Sequence, residues 1–291
     1  MRTLIVGCGY VGTALGAELV RRGHEVFGTR RTHLGEEQLK AAGIIPLVAD
    51  ITRPDTLRVL SRTPDWVVFC VSASGGGAEE YRSVYLEGVR HLLAWLATNR
   101  ALRKLVYTSS SGVYGQDDGS LVDESSPVTP PTETGRVLVR TEQLLLEAAE
   151  GGKCPAVILR VAGIYGPGRG YWLRQYLSGA AVIEGDGQRW LNMIHRDDVA
   201  GAIIAALERG QPGQVYNAVD DMPVRQRDLF TWLAATLGKG MPPSGPVEPG
   251  RKRGVTNKVV SNRKLKEELG YSFKYPSFRQ GFAALELWPP E

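Results

Sequence analysis

Six residues near the start of the chain, Gly7-Cys8-Gly9-Tyr10-Val11-Gly12, have the types and spacing of a phosphate-binding turn. In a GxGxxG pattern the first glycine makes a tight turn, the second lets backbone approach a pyrophosphate, and the third lets the following helix pack on the preceding strand. The unpaired N–H groups of that helix's first turn then face the ligand's negative charge. A strand-like run at 3–6 precedes the pattern and a second ends at Thr29, which is the context the pattern requires. At the end of that second strand a carboxylate would bond a ribose 2′-hydroxyl, but the sequence reads Thr29-Arg30-Arg31. Two guanidinium groups there suit a 2′-phosphate, so the residues predict NADP, with NAD the weaker candidate.

The elements that must position this turn follow from apolar runs. Strands are expected at 3–6, 25–29, 44–50, 66–71, 104–108 and 156–161, with helices between them at 11–22, 79–99 and 135–150. Strands that are apolar without alternation, each followed by a helix, imply a parallel sheet covered on both faces, a doubly wound α/β arrangement. Beyond it lie a glycine-rich loop at 163–170, a helix at 171–178, a strand at 190–195, a helix at 197–208 and a strand at 214–218. A helix at 226–237, a Pro/Gly-rich run at 238–250 and short helices at 263–269 and 277–287 close the chain. The division this predicts is a nucleotide-binding domain over 1–170, to which 190–218 returns, and a small α/β lobe on the substrate side built from 171–189 and 219–291.

Composition excludes several function classes. The 291 residues carry a net charge of +4, too weak and dispersed for a nucleic-acid partner, and Arg251-Lys252-Arg253 reads as a solvated loop. Cys8, Cys70 and Cys154 are odd in number and unpaired in spacing, which argues against a disulfide framework and for a reducing compartment. The longest apolar stretch, 66–73, falls far short of the roughly 20 residues of a membrane span. With no leader expected ahead of residue 3, the chain reads as cytoplasmic. Four scattered histidines offer no metal-ligand set, so no metal is expected.

Five motifs in order carry a family resemblance. They are the GCGYVG turn, Tyr107-Thr108-Ser109-Ser110-Ser111-Gly112-Val113-Tyr114-Gly115, the run from Leu159 to Gly168, Met193 to Ala200, and Val215-Tyr216-Asn217-Ala218. The chain resembles the NAD(P)-dependent epimerase/dehydratase family of extended short-chain dehydrogenase/reductases. The resemblance implies a Rossmann domain with a small C-terminal lobe over a cleft. It implies that Asp50 and Ile51 contact the adenine, and that Val71, Ser72 and Ala73 line the middle of the cofactor. Ser110, four residues before Tyr114, matches the hydroxyl that bonds the substrate's reacting oxygen, with Ser109 beside it counted among the cofactor contacts. Homodimerisation through the helices at 79–99 and 135–150 is common in such proteins, and Leu138 and Val139 would add apolar area to that face.

The pattern breaks at the family's YxxxK pair, in which the lysine lowers the tyrosine pKa so that phenolate can act as base. The segment Thr134-Gly135-Arg136-Val137-Leu138 places Thr134 and Leu138 at those two positions. Arg136 and Arg140, Tyr114 and Tyr165, and His195 are candidate substitutes; each has an equal or stronger structural reading, as does Asp197 as a helix cap. Two functions therefore stand side by side. One is an oxidoreductase or epimerase-like enzyme that transfers hydride on a sugar or small carbonyl compound, with Ser110 polarising the reacting oxygen. The other is a catalytically inactive NADP(H)-binding sensor or scaffold.

Overall fold

A computed structural model describes residues 1–60, 63–73, 75, 77–97, 99–246 and 256–285. Seven strands form the central sheet: β1 (Arg2–Val6), β2 (Glu25–Arg30), β3 (Ile45–Val48), β4 (Trp66–Phe69), β5 (Lys104–Ser110), β6 (Ala156–Val161) and β7 (Val215–Ala218). All neighbours are parallel, in the order β7-β6-β5-β4-β1-β2-β3. Every residue of β4 and β6 is buried, as strands covered by helices on both faces require. From β1 the chain winds outward to β2 and β3, then crosses back to β4 on the other side. The crevice beyond the carboxyl ends of β1 and β4 is the switch point where such sheets hold ligands.

Several elements depart from the sequence reading for identifiable reasons. The helix expected at 79–99 runs as Ala78–Tyr81, a π-helical turn Arg82–Glu87 and Gly88–Leu96. A 3.6-residue period does not reveal such an inserted residue. The strand expected at 190–195 is interrupted at Asn192, whose side chain bonds backbone from another segment. Trp190–Leu191 pairs with Val224–Arg225, and Met193–His195 pairs with Gly163–Tyr165, so the glycine-rich loop opens as a strand. Ser244–Gly245 within the Pro/Gly-rich run pairs with Ile183–Glu184, and Leu121–Val122 pairs with Val259–Val260. The last helix among the described residues is Phe278–Ala283, capped by the Ser277 hydroxyl. The basic cluster Arg251-Lys252-Arg253 lies outside the described residues.

Two apolar clusters hold these elements. The larger joins the sheet to its helices, and the smaller gathers Tyr165, Leu173, Phe230, Leu233, Phe278 and Phe282. Burying each such side chain contributes about 1.5–3 kcal/mol. Among the described residues no helix is long and apolar enough to cross a membrane.

Candidate dinucleotide site

The turn after β1 is held from below by Thr29. Its hydroxyl accepts from Gly7 N at 3.1 Å and its carbonyl from Cys8 N at 2.8 Å, fixing the loop to the end of β2. Gly7 lies at φ +88°, and a Cβ there would stand 2.7 Å from the Val71 Cα, so no larger residue fits between the β1 and β4 loops. A Cβ on Gly9 would meet no protein atom within 4 Å. A Cβ on Gly12 would press on the Gly7 carbonyl at 2.9 Å. Gly9 opens the helix Tyr10–Arg21 without any side-chain cap. The first amides of this 12-residue helix therefore face the open side of Gly9. Backbone donors, an open approach and a positive helix end together fit a dinucleotide pyrophosphate.

At the end of β2, Arg30 folds back under the turn. Its guanidinium donates to Cys8 O at 2.9 Å, Leu34 O at 3.1 Å, Gln38 Oε1 at 3.3 Å and Thr13 Oγ1 at 3.4 Å. None of these acceptors is a carboxylate, so its charge is not neutralised by them. Arg31 is exposed. Thr29 itself is 3% exposed and acts through the loop it latches.

Asp50 accepts from Thr52 N and Oγ1 through Oδ1, at 2.9 and 2.8 Å, and turns the chain after β3. Ile51 is buried against Gly88, and its carbonyl accepts from His91 Nδ1 at 2.8 Å. After β4, Cys70 Sγ donates to Gly7 O at 3.3 Å. Val71 packs on Gly7, Ser72 is exposed, and Ala73 N donates to the Tyr85 hydroxyl at 3.3 Å. Burial pushes all three thiols up, Cys8 to about 11 and Cys154 to about 12, so none is a ready nucleophile. Among the described residues no group of three or more His, Cys, Asp or Glu could hold a metal ion.

Ser110 ends β5, and its Oγ accepts from Gly112 N at 3.1 Å, which leaves its own proton free to donate. Alternation along β5 turns Ser109 to the opposite face. There its hydroxyl donates to Glu142 Oε1 at 2.5 Å. Glu142 is gripped by Arg160 at 2.8 Å, with both side chains buried. Arg160 Nη1 donates to the Tyr114 hydroxyl at 2.9 Å, and Tyr114 donates to Asn217 Oδ1 at 2.9 Å. The motifs carried by β5, β6 and β7 are thus tied into one buried network, of which Tyr114 is a structural member. Glu142 and Arg160 were not singled out from sequence; the signal was a charge inside each of two otherwise apolar faces.

The positions of the usual catalytic pair are structural here. Thr132 caps the helix Glu133–Glu150, and the Thr134 hydroxyl bonds Thr132 Oγ1 at 3.2 Å. Leu138 is buried in the larger cluster, so its area is already used within one chain; Val139 is half-buried. Arg136 pairs with Glu133 at 2.8 Å, and Arg140 is exposed on the same helix. Tyr165 donates to the Ser277 carbonyl at 3.3 Å inside the smaller cluster. His195, rather than Asp197, is the N-cap of the helix Arg196–Arg209: its Nδ1 accepts from Asp197 N at 3.2 Å. Burial holds its imidazole down to about 4, against the pull of Asp197, so it is neutral near pH 7.

The NAD dependent epimerase/dehydratase family matches residues 3–218. Protein YeeZ of Escherichia coli K12 is 29% identical over 94% of the chain and 96% of its own length. A 4-hydroxy-2-methyl-3-oxo-4-farnesyl-3,4-dihydroquinoline-1-oxide ketoreductase of Stigmatella aurantiaca is 30% identical over 82% of the chain and 74% of its own length. A structure from Methylobacillus flagellatus, provisionally described as an NAD-dependent epimerase/dehydratase, superposes with a TM-score of 0.79 at 34% identity. It covers 98% of this chain and 97% of its own.

Proposed function

The chain belongs to the NAD dependent epimerase/dehydratase family, and from that premise we propose that it is an NADP(H)-dependent oxidoreductase acting on a sugar or small carbonyl compound. The observation that carries the cofactor choice is the end of β2, where Arg30 and exposed Arg31 stand and no carboxylate does. When bound, the nicotinamide supplies or accepts the hydride. The turn Gly7 to Gly12, including the backbone of Cys8, Tyr10 and Val11, holds the pyrophosphate; Asp50 and Ile51 border the adenine; Val71, Ser72 and Ala73 line the middle. The Ser110 hydroxyl hydrogen-bonds the reacting oxygen, where a fixed donor stabilises developing negative charge. The substrate lies between the sheet and the lobe made of 171–189 and 219–291. The name of the ketoreductase relative supports carbonyl reduction as the reaction class. Placement in the cytoplasm and pairing of two copies through the helices at 78–96 and 133–150 belong to the same reading.

A second reading, an inactive NADP(H)-binding sensor or scaffold, is favoured by one observation: Thr134 and Leu138 are committed to a helix cap and the core. The experiment that separates the two follows NADPH consumption over aldehydes, ketones and nucleotide sugars, with Ser110→Ala as control. Turnover lost in Ser110→Ala supports the enzyme; tight NADPH binding with no turnover on any class supports the sensor.

A further inference from the structure

A site without its tyrosine and lysine needs another proton donor, and one lysine is buried without a carboxylate partner among the described residues. Lys258 is 5% exposed, and its Nζ donates to Thr256 Oγ1 at 2.5 Å. Among the described residues no carboxylate pairs with it, and burial holds its ammonium down to about 8. Burying a cation without a counter-charge is costly, and a group kept so is a candidate for proton transfer.

The backbone around Lys258 ties it to the cleft. The strand Val259–Val260 pairs with Leu121–Val122, and Asn257 N donates to Gln116 O at 3.2 Å, within the segment that follows Ser110. On the other side Asn192 Nδ2 donates to Lys258 O at 2.9 Å, and Asn192 Oδ1 accepts from Val260 N at 2.8 Å. Asn192 O in turn accepts from Gly163 N, two residues past Val161, whose register partner on β5 is Ser110. Lys258, two residues from Val260 of the larger cluster, is itself enclosed. Gln116 Oε1, on the same segment, is buried without a partner, a second polar atom in this wall that a ligand would satisfy.

We propose that Lys258 is the proton donor that replaces the missing pair. The inference rests on the oxidoreductase reading above. In the reducing direction the substrate carbonyl carbon receives hydride from NADPH and the C=O π pair moves to oxygen. That oxygen takes a proton from the Lys258 ammonium. Alcohol and NADP⁺ result, and the neutral amine regains a proton from water.

The test follows the Lys258 titration by NMR of protein labelled with ¹³C at lysine Cε. The signal is assigned by its loss in Lys258→Met, or in Lys258→Arg if the first variant does not fold. Oxidised nicotinamide carries a positive charge that the reduced ring lacks. The Lys258 midpoint is expected to be lower in the NADP⁺ complex than in the NADPH complex by about 0.5 pH or more, for an amine near the ring. Exposed Lys239 should move in neither complex. Equal midpoints in the two complexes would place the amine away from the ring and overturn the proposal. Calorimetry showing that neither nucleotide binds would instead overturn the cofactor reading on which it rests.

Discussion

Replacing Gly9 by alanine should separate cofactor binding from folding. Its Cβ would meet no protein atom within 4 Å, so the free protein has room for the methyl group. Stability should stay within about 1 kcal/mol of wild type. On the proposed reading, that same space holds the pyrophosphate in the complex. A methyl group there moves the phosphate away from the uncapped amides and removes at least one charge-assisted hydrogen bond, about 1.5–3 kcal/mol. The dissociation constant for NADPH should rise about 10- to 150-fold. Gly7→Ala is the contrasting case, because φ +88° and the 2.7 Å approach to Val71 place its cost in the free protein, about 2 kcal/mol or more. Calorimetry and urea denaturation measure the two quantities. NADPH binding by Gly9→Ala within about twofold of wild type, with unchanged stability, would refute the placement of the phosphates over this turn.

Arg31→Ser should weaken NADPH about tenfold and leave NADH unchanged, because only the former carries the 2′-phosphate; parallel calorimetric titrations read the difference. Glu142→Ala strands the buried Arg160 guanidinium and should cost about 3–5 kcal/mol in urea denaturation, whereas a loss under about 1 kcal/mol would show that the pair is not a structural anchor. His195 titrates at about 4 when folded against an ordinary 6.5, so the unfolded chain binds more protons between these values and acidification through that window removes stability. Between pH 7 and pH 5 wild type should lose about 2 kcal/mol relative to His195→Asn, which keeps a capping side chain without the charge; equal pH slopes would contradict the assignment.

The parts of this molecule that were legible in sequence are those where one local rule decides. The apolar runs of β1, β4, β5 and β6 could only be covered strands, and GCGYVG after the first of them could only be a turn onto a helix. Arg30 shows the limit of such reading. Its charge and position were visible, but its fold back onto the Cys8 carbonyl depends on Leu34 and Gln38 arriving from the next turn. His195 and Asp197 show a closer contest: both can cap a helix, and the sequence alone favours Asp. The imidazole wins because the strand Met193–His195 delivers it, buried, to the Asp197 amide. Lys258 was invisible because nothing local buries it. Its environment is assembled from Gln116, Asn192 and Val260, which the topology alone brings together. The interruption at Asn192 was hidden for the same reason, since the side chain serves backbone 66 and 68 residues away.

The central claim is that the backbone after β1 and the arginines after β2 hold a phosphorylated dinucleotide. Calorimetric titration of the full chain with NADPH and with NADH under identical salt tests it most directly. The account predicts binding of both, with NADPH at least about tenfold tighter. Tighter binding of NADH, or binding of neither, would contradict it.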